Sequence, residues 1–185
     1  METRELADRY NRQVNYLRVS ITDRCNLNCI YCRPANEPFT LAHDDILTYE
    51  EILRVVAVGN RLGITKVRVT GGEPLVRKNA ASLLRRIIGF EGIRDVSLTT
   101  NGVLLADNLA VIRGAGVKRL NISLDTLDRE KFRQITGRDA FDRVWSGLMR
   151  ALEAGFSPVK LNVVVMRGIN DDELRELARL SVDLP

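Results

Sequence analysis

The sequence predicts an α/β fold, an incomplete (βα) barrel of about five β–α units. Three observations carry this. Short β-branched runs alternate with longer stretches of helical periodicity; such alternation implies a parallel sheet with right-handed crossovers. Strands covered on both faces read as continuous apolar runs, but these mostly alternate apolar and polar residues. The polar side recurs on every run, so it is not a dry barrel interior of Val, Ile and Leu. Burying that many polar groups unpaired would cost about 1–3 kcal/mol each. The inner wall must therefore hold water or a polar ligand. An open sheet with one face in solvent is the competing reading, and the helical crossovers argue against it.

The first run is Tyr16–Thr22, with Leu17, Val19 and Ile21 on one side and Arg18, Ser20 and Thr22 on the other. Thr48-Tyr49-Glu50-Glu51 reads as a capping box that opens a helix through Leu62, stopped at Gly63. Lys66–Thr70 sets Val67 and Val69 against Lys66, Arg68 and Thr70. A second helix spans Lys78 to Ile88 and ends at Gly89. Val96–Asn101 sets Val96 and Leu98 against Ser97, Thr99 and Asn101. A third helix runs from about Asp107 to Arg113. Arg119–Asp125 sets Leu120, Ile122 and Leu124 against Asn121, Ser123 and Asp125. Two helices follow, Asp128–Ile135 and Ala140–Ala154, with a break at Gly137. The last run, Val159–Met166, sets Val159, Leu161, Val163 and Val165 against Lys160 and Asn162. Asn170 is a good N-cap, with Glu173 three residues on, for a helix to about Leu180. Arg18, Arg68 and Lys160 make the polar side cationic, which suits an anionic substrate.

At 185 residues the chain is long enough for one domain with a real core, and 45% hydrophobic with 28% charged residues is an ordinary globular composition. The charged N-terminus is no signal peptide, and no stretch is long enough to span a membrane. A cytoplasmic protein with reduced thiols is expected. The net charge is +4, but the basic residues are spread along the chain among acids, so a solvated surface is expected and no nucleic-acid partner.

All three cysteines lie in Cys25-Asn26-Leu27-Asn28-Cys29-Ile30-Tyr31-Cys32, spaced C-x3-C-x2-C. Thiolates are soft ligands for zinc and iron–sulfur clusters. Three of them can hold three corners of a 4Fe–4S cube, leaving one iron open, whereas an electron-transfer site usually has four. Two other readings stand beside this one: inert buried thiols, or a Cys3His zinc site that recruits His43, the only histidine. A disulfide is least favoured, because three is odd and nothing indicates export.

The cysteine spacing, with the aromatic Tyr31 before the last Cys, resembles the radical S-adenosylmethionine (SAM) enzymes. Leu17-Arg18-Val19-Ser20-Ile21-Thr22-Asp23-Arg24-Cys25-Asn26 further resembles the GTP 3′,8-cyclase family of molybdenum cofactor biosynthesis. Arg33-Pro34 departs from the Met-Pro common there, just past the last ligand. Gly71-Gly72-Glu73-Pro74 follows the second strand, where barrel loops build active sites. Glycines permit a close backbone approach to a ligand, although a plain tight turn gives the same residues. The segment looks like the GGEP motif that holds the methionine amino group of S-adenosylmethionine.

The resemblance implies the fold, cofactors and site residues. The fold would be a six-unit partial TIM barrel. Cys25, Cys29 and Cys32 would hold the 4Fe–4S cluster with its open iron. Tyr31, Gly72 and Ser123 would contact S-adenosylmethionine; Arg18, Arg68, Thr99 and Lys160 would contact GTP. An electron from a reduced flavodoxin- or ferredoxin-like donor would cleave the sulfonium. Hydrogen abstraction from C3′ of GTP and bonding to C8 would give (8S)-3′,8-cyclo-7,8-dihydroguanosine 5′-triphosphate for the next enzyme of the pterin pathway. A homodimer is compatible with this reading. No residue stands out as a general base. The family's second cluster, with three more cysteines, is absent from this chain. Residues 1–185 are therefore expected to be a single domain truncated before a sixth β–α unit and the second-cluster region, able to bind the first cluster and cleave S-adenosylmethionine slowly but not to complete cyclisation. Another radical SAM enzyme, or a non-catalytic cluster- or zinc-binding remnant, is the alternative reading.

Overall fold

Five parallel strands form one sheet in the order of the chain. They are β1 (Tyr16–Ser20), β2 (Lys66–Thr70), β3 (Asp95–Thr100), β4 (Arg119–Ser123) and β5 (Val159–Asn162). The computed structural model describes residues 6–32 and 41–184, apart from the side chain of residue 43. Helix α1 (Tyr49–Arg61) joins β1 to β2, α2 (Ala80–Ile88) joins β2 to β3, and α3 (Leu105–Gly114) joins β3 to β4. Helices α4 (Arg129–Thr136) and α5 (Phe141–Glu153) join β4 to β5, and α6 (Leu174–Asp183) follows. Crossovers of one hand that always step in the same direction put every helix on the same side of the sheet. That is barrel winding; a doubly wound sheet reverses direction and covers both faces.

The helix side is the core. Val67, Val69, Leu98, Leu120 and Ile122 are fully buried against Leu83, Leu84, Ile87 and Ile112 of the helices. The same period-two pattern sends the polar residues to the other wall. There Arg18 lies opposite Arg68, Arg68 opposite Ser97, and Ser97 opposite Arg119. One row further on, Thr99 lies opposite Asn121 and Asn121 opposite Lys160. Ser97 and Asn121 are buried, so the centre of this wall is more closed than the alternation alone implies.

Helix α1 has the expected capping box: Thr48 Oγ1 accepts from Glu51 N, and Glu51 Oε2 accepts from Thr48 N at 2.7 Å. Two expectations need correction. The fifth strand ends at Asn162, not Met166, and Asn170 stands at the N-cap position of a 3-10 turn, Asp171–Glu173, ahead of α6 without a side-chain cap bond. Both have one cause. Val164 N–H donates to Asp125 Oδ1, Met166 N–H donates to Asn170 Oδ1, and Asn170 Nδ2 donates to the carbonyls of Val164 and Asp125. Side chains thus satisfy the backbone groups that a longer strand would have paired. Asn170 is fully buried in that role. Glu173 likewise leaves its own helix, and its carboxylate accepts from the Thr126 hydroxyl and Leu127 N–H.

β5 pairs with β4 on one side only among the described residues. An apolar groove of about 870 Å³ runs beside it, between α5 and α6, lined by Leu148, Leu161, Leu177 and Leu184.

Glu73 sits at the end of β2 with no solvent exposure. Its carboxylate accepts from Leu75 N–H at 3.0 Å, from the Thr100 hydroxyl at 2.9 Å and from Asn101 N–H at 2.6 Å. These bonds tie the exit of β2 to the exit of β3. Burial raises its pKa above the ordinary carboxylate value, against the opposing pull of the three donors. The folded state therefore holds this proton to higher pH than the unfolded chain does. Stability from this group is present below the unfolded carboxylate range and is lost as pH rises through the folded value. Urea denaturation across that interval should show wild-type stability falling with pH and a flatter profile for Glu73→Gln. The variant should start about 1–3 kcal/mol lower, because one donor would face an amide NH2 group. Parallel profiles would refute the assignment.

Candidate functional site

The cysteine loop is built onto the ends of β1 and β2. Ile21 N–H donates to Thr70 O, Gly72 N–H to Thr22 O at 2.6 Å, and Glu73 N–H to Arg24 O at 2.8 Å. The Gly-Gly-Glu segment thus lies directly against Thr22–Arg24. A Cβ at Gly71 would fall 2.7 Å from Thr22 O, and one at Gly72 would overlap the carbonyls of Asp23 and Arg24. The first physical demand on these glycines is contact with the cysteine loop, not the approach to a ligand that their residue type suggested. From the other side, Asn28 N–H donates to Thr136 O and Ile30 N–H to Ile135 O, at the end of α4.

Cys25 and Cys29 are half-buried and Cys32 is exposed. All three line one cavity of about 650 Å³, together with Ser20, Gly71 and Gly72. Among the described residues, no three His, Cys, Asp or Glu side chains converge on a single ion position. A structural zinc needs four ligands at about 2.0–2.3 Å from one centre. Three thiols lining one cavity are the donor set of a cluster held at three of its irons. The side chain of His43, and Arg33-Pro34, lie outside the described residues.

Burial pushes the Cys29 thiol up to about 11; the neighbouring Tyr31 hydroxyl opposes this, while Asp125 and the other two cysteines add to it. A thiolate there calls for a cation, such as iron, to hold its charge. The Tyr31 hydroxyl donates to Asp125 Oδ2 at 2.6 Å, and its pKa is raised by burial first and by that carboxylate second. The Tyr31 side chain thus has a structural role beside the cofactor contact expected of this residue. It ties the cysteine loop to the end of β4.

Three residues to which the resemblance gave no role belong to this site. Asn101 Nδ2 donates to Asn26 Oδ1 at 2.8 Å and lies 3.5 Å from Cys25 Sγ. Asp125 holds Tyr31 and the chain leaving β5. Glu73 holds Asn101. The period-two alternation that points to Thr99 and Ser123 also reaches Asn101 and Asp125, two residues further along each strand. Glu73 carries no such signal.

The predicted nucleotide contacts fall on the polar wall. Arg18 and Arg68 are directly paired in register, and Lys160 is exposed on β5. Among the described residues, Arg119 has an acidic partner, Asp95, whereas no ion pair holds Arg18, Arg68 or Lys160. Arg68 packs its guanidinium over the Tyr16 ring at 5.4 Å. Its Nε and Thr99 Oγ1 are buried with no hydrogen-bond partner among the described residues. Like charges placed opposite each other across strands are destabilising, and buried polar atoms normally find partners. Both features fit a wall that receives an anionic, hydrogen-bonding ligand. Ser123 lies opposite Asn162 at the cysteine end of the strands.

The family model for the radical SAM superfamily matches residues 19–181. The chain is 52% identical over 181 residues to a GTP 3′,8-cyclase of Geobacter sulfurreducens, covering 98% of this chain and 56% of that protein. It is 54% identical over 175 residues to a GTP 3′,8-cyclase of Thermodesulfovibrio yellowstonii, covering 94% and 54%. The chain thus spans about half the length of the curated relatives it matches. Among solved structures, Streptococcus suis SuiB bound to precursor peptide SuiA superposes with a TM-score of 0.74 at 20% identity, covering 91% of this chain and 37% of that one. That likeness concerns the fold alone. With the family match, the five-stranded sheet wound in sequence order and the three thiols on one cavity, the chain belongs to the radical SAM superfamily.

Proposed function

We propose that this chain provides the S-adenosylmethionine-cleaving and nucleotide-holding part of a GTP 3′,8-cyclase. The carrying observation is the junction of two features: three thiols on one cavity, at the mouth of a polar wall whose Arg18, Arg68 and Lys160 have no acidic partner among the described residues. Cys25, Cys29 and Cys32 would hold three irons of a 4Fe–4S cluster. When bound, the cluster supplies the electron that cleaves S-adenosylmethionine at the iron left without a thiolate. Tyr31, Gly72 and Ser123 would orient that cofactor. Arg18 and Arg68 would share the triphosphate, which relieves their mutual repulsion. Thr99 Oγ1 and Arg68 Nε would find their missing partners on the nucleotide, and Lys160 would add a point charge from the opposite edge of the wall.

By likeness to the cyclases, the product would be the 3′,8-cyclised guanosine triphosphate that feeds molybdenum cofactor biosynthesis. A cytoplasmic location, a flavodoxin- or ferredoxin-like donor, hand-over to the next pterin enzyme and a homodimer complete the proposal. No helix among the described residues is long and apolar enough to cross a membrane.

Anaerobic reconstitution with iron and sulfide should give a brown protein with about four irons per chain. Replacing Cys25, Cys29 or Cys32 singly by Ala should abolish the colour. A colourless protein with stoichiometric zinc would overturn the reading. In GTP binding by equilibrium dialysis, Arg18→Ala and Arg68→Ala should each weaken affinity roughly 10- to 100-fold, as expected for a charge-assisted hydrogen bond worth about 1.5–3 kcal/mol. Iron content should stay unchanged. Wild-type affinity in both variants would remove the nucleotide from the polar wall.

A further inference from the structure

Asn101 leaves the end of β3 with its backbone N–H and both ends of its side-chain amide committed. Its backbone N–H donates to buried Glu73 Oε2 at 2.6 Å. Its Oδ1 accepts from Val103 N–H at 3.1 Å, which fixes which end of the amide faces the cysteine loop. The NH2 end then donates to Asn26 Oδ1 at 2.8 Å and approaches Cys25 Sγ at 3.5 Å. The same sulfur receives Leu27 N–H at 3.4 Å. The three cysteines are not equivalent in this respect. Cys29 has the Tyr31 hydroxyl as its neighbour, but that proton is given to Asp125. Cys32 is exposed. Among the described residues, the Cys25 corner is the one with two N–H donors.

Reducing an iron–sulfur cluster adds negative charge, part of it on the sulfur ligands. An N–H donor aimed at a ligand sulfur stabilises the reduced form more than the oxidised one, and so raises the reduction potential. We propose that Asn101 is a positioning residue for the cluster: it fixes the Cys25 sulfur and, through its side-chain N–H, makes the cluster easier to reduce. The proposal rests on the cluster reading above. It gives Asn101 a part in setting how readily the electron is accepted, distinct from holding nucleotide or cofactor. Glu73 serves the same end at one remove, since its carboxylate fixes the Asn101 backbone.

The test is a redox titration of the reconstituted full chain, followed by electron paramagnetic resonance of the reduced cluster. Asn101→Asp keeps the side-chain volume and an oxygen for Val103 N–H, but puts a carboxylate oxygen where the donor was. Asn101→Ala removes the donor without adding charge. Both should retain wild-type iron content and titrate at a more negative midpoint potential, with the larger shift for the Asp variant. Wild-type potentials in both, at full iron content, would overturn the inference and leave the proposed function standing. Folded variants that both lose iron would also overturn it, because Asn101 would then be a structural part of the loop only. A wild-type chain that takes up no cluster would instead sink the proposed function, and this inference with it.

Discussion

The structure depends on the close backbone contact between two loops that follow neighbouring parallel strands. Gly72 and Glu73 donate their N–H groups to the carbonyls of Thr22 and Arg24, at 2.6 and 2.8 Å. At that separation neither Gly71 nor Gly72 has room for a side chain. The contact continues the β1–β2 pairing beyond the strands and carries the cysteine loop out over the end of the sheet. The glycines thus serve geometry before chemistry: without them the three thiols would not overhang the polar wall.

The second constraint is the winding. Because the strands add in sequence order, all the helices cover one side. One wall is then free of helices and is available to polar residues on every strand. Its charge is uneven in a useful way. Arg119 is neutralised by Asp95, while Arg18, Arg68 and Lys160 are not neutralised among the described residues. Holding like charges in register costs stability in the free chain. A bound anion would offset that cost.

The side-chain network above the strands joins these two constraints. Glu73 grips Asn101, Asn101 reaches Cys25, Tyr31 reaches Asp125, and Asp125 with Asn170 secures the chain leaving β5. Every strand exit is thereby tied laterally to a neighbour by a side chain; at β1 the Arg77 guanidinium donates to the Ile21 carbonyl, and the loop backbone adds to it. The cysteine loop has no helix or strand of its own, so these ties are what fix the positions of its thiols.

Much of this was legible in the sequence, because the signals are local. Alternation within each run fixed which residues share the polar wall, and Arg18, Arg68, Thr99, Ser123 and Lys160 all lie there. The capping box of α1 spans four consecutive residues, and it formed as its residue types require. The cysteine spacing likewise identified the loop that carries the site. What only the tertiary structure decided is which polar groups meet. Tyr31 and Asp125 are 94 positions apart, and Glu73 and Asn101 are 28 apart. Asn170 had the residue type and spacing of a helix cap, yet its amide was drawn instead to the carbonyls of Asp125 and Val164, and the strand predicted to Met166 stopped at Asn162. An amide has no preference between a helix end and a loop; it satisfies whichever backbone groups burial leaves unpaired, and burial is a property of the folded chain.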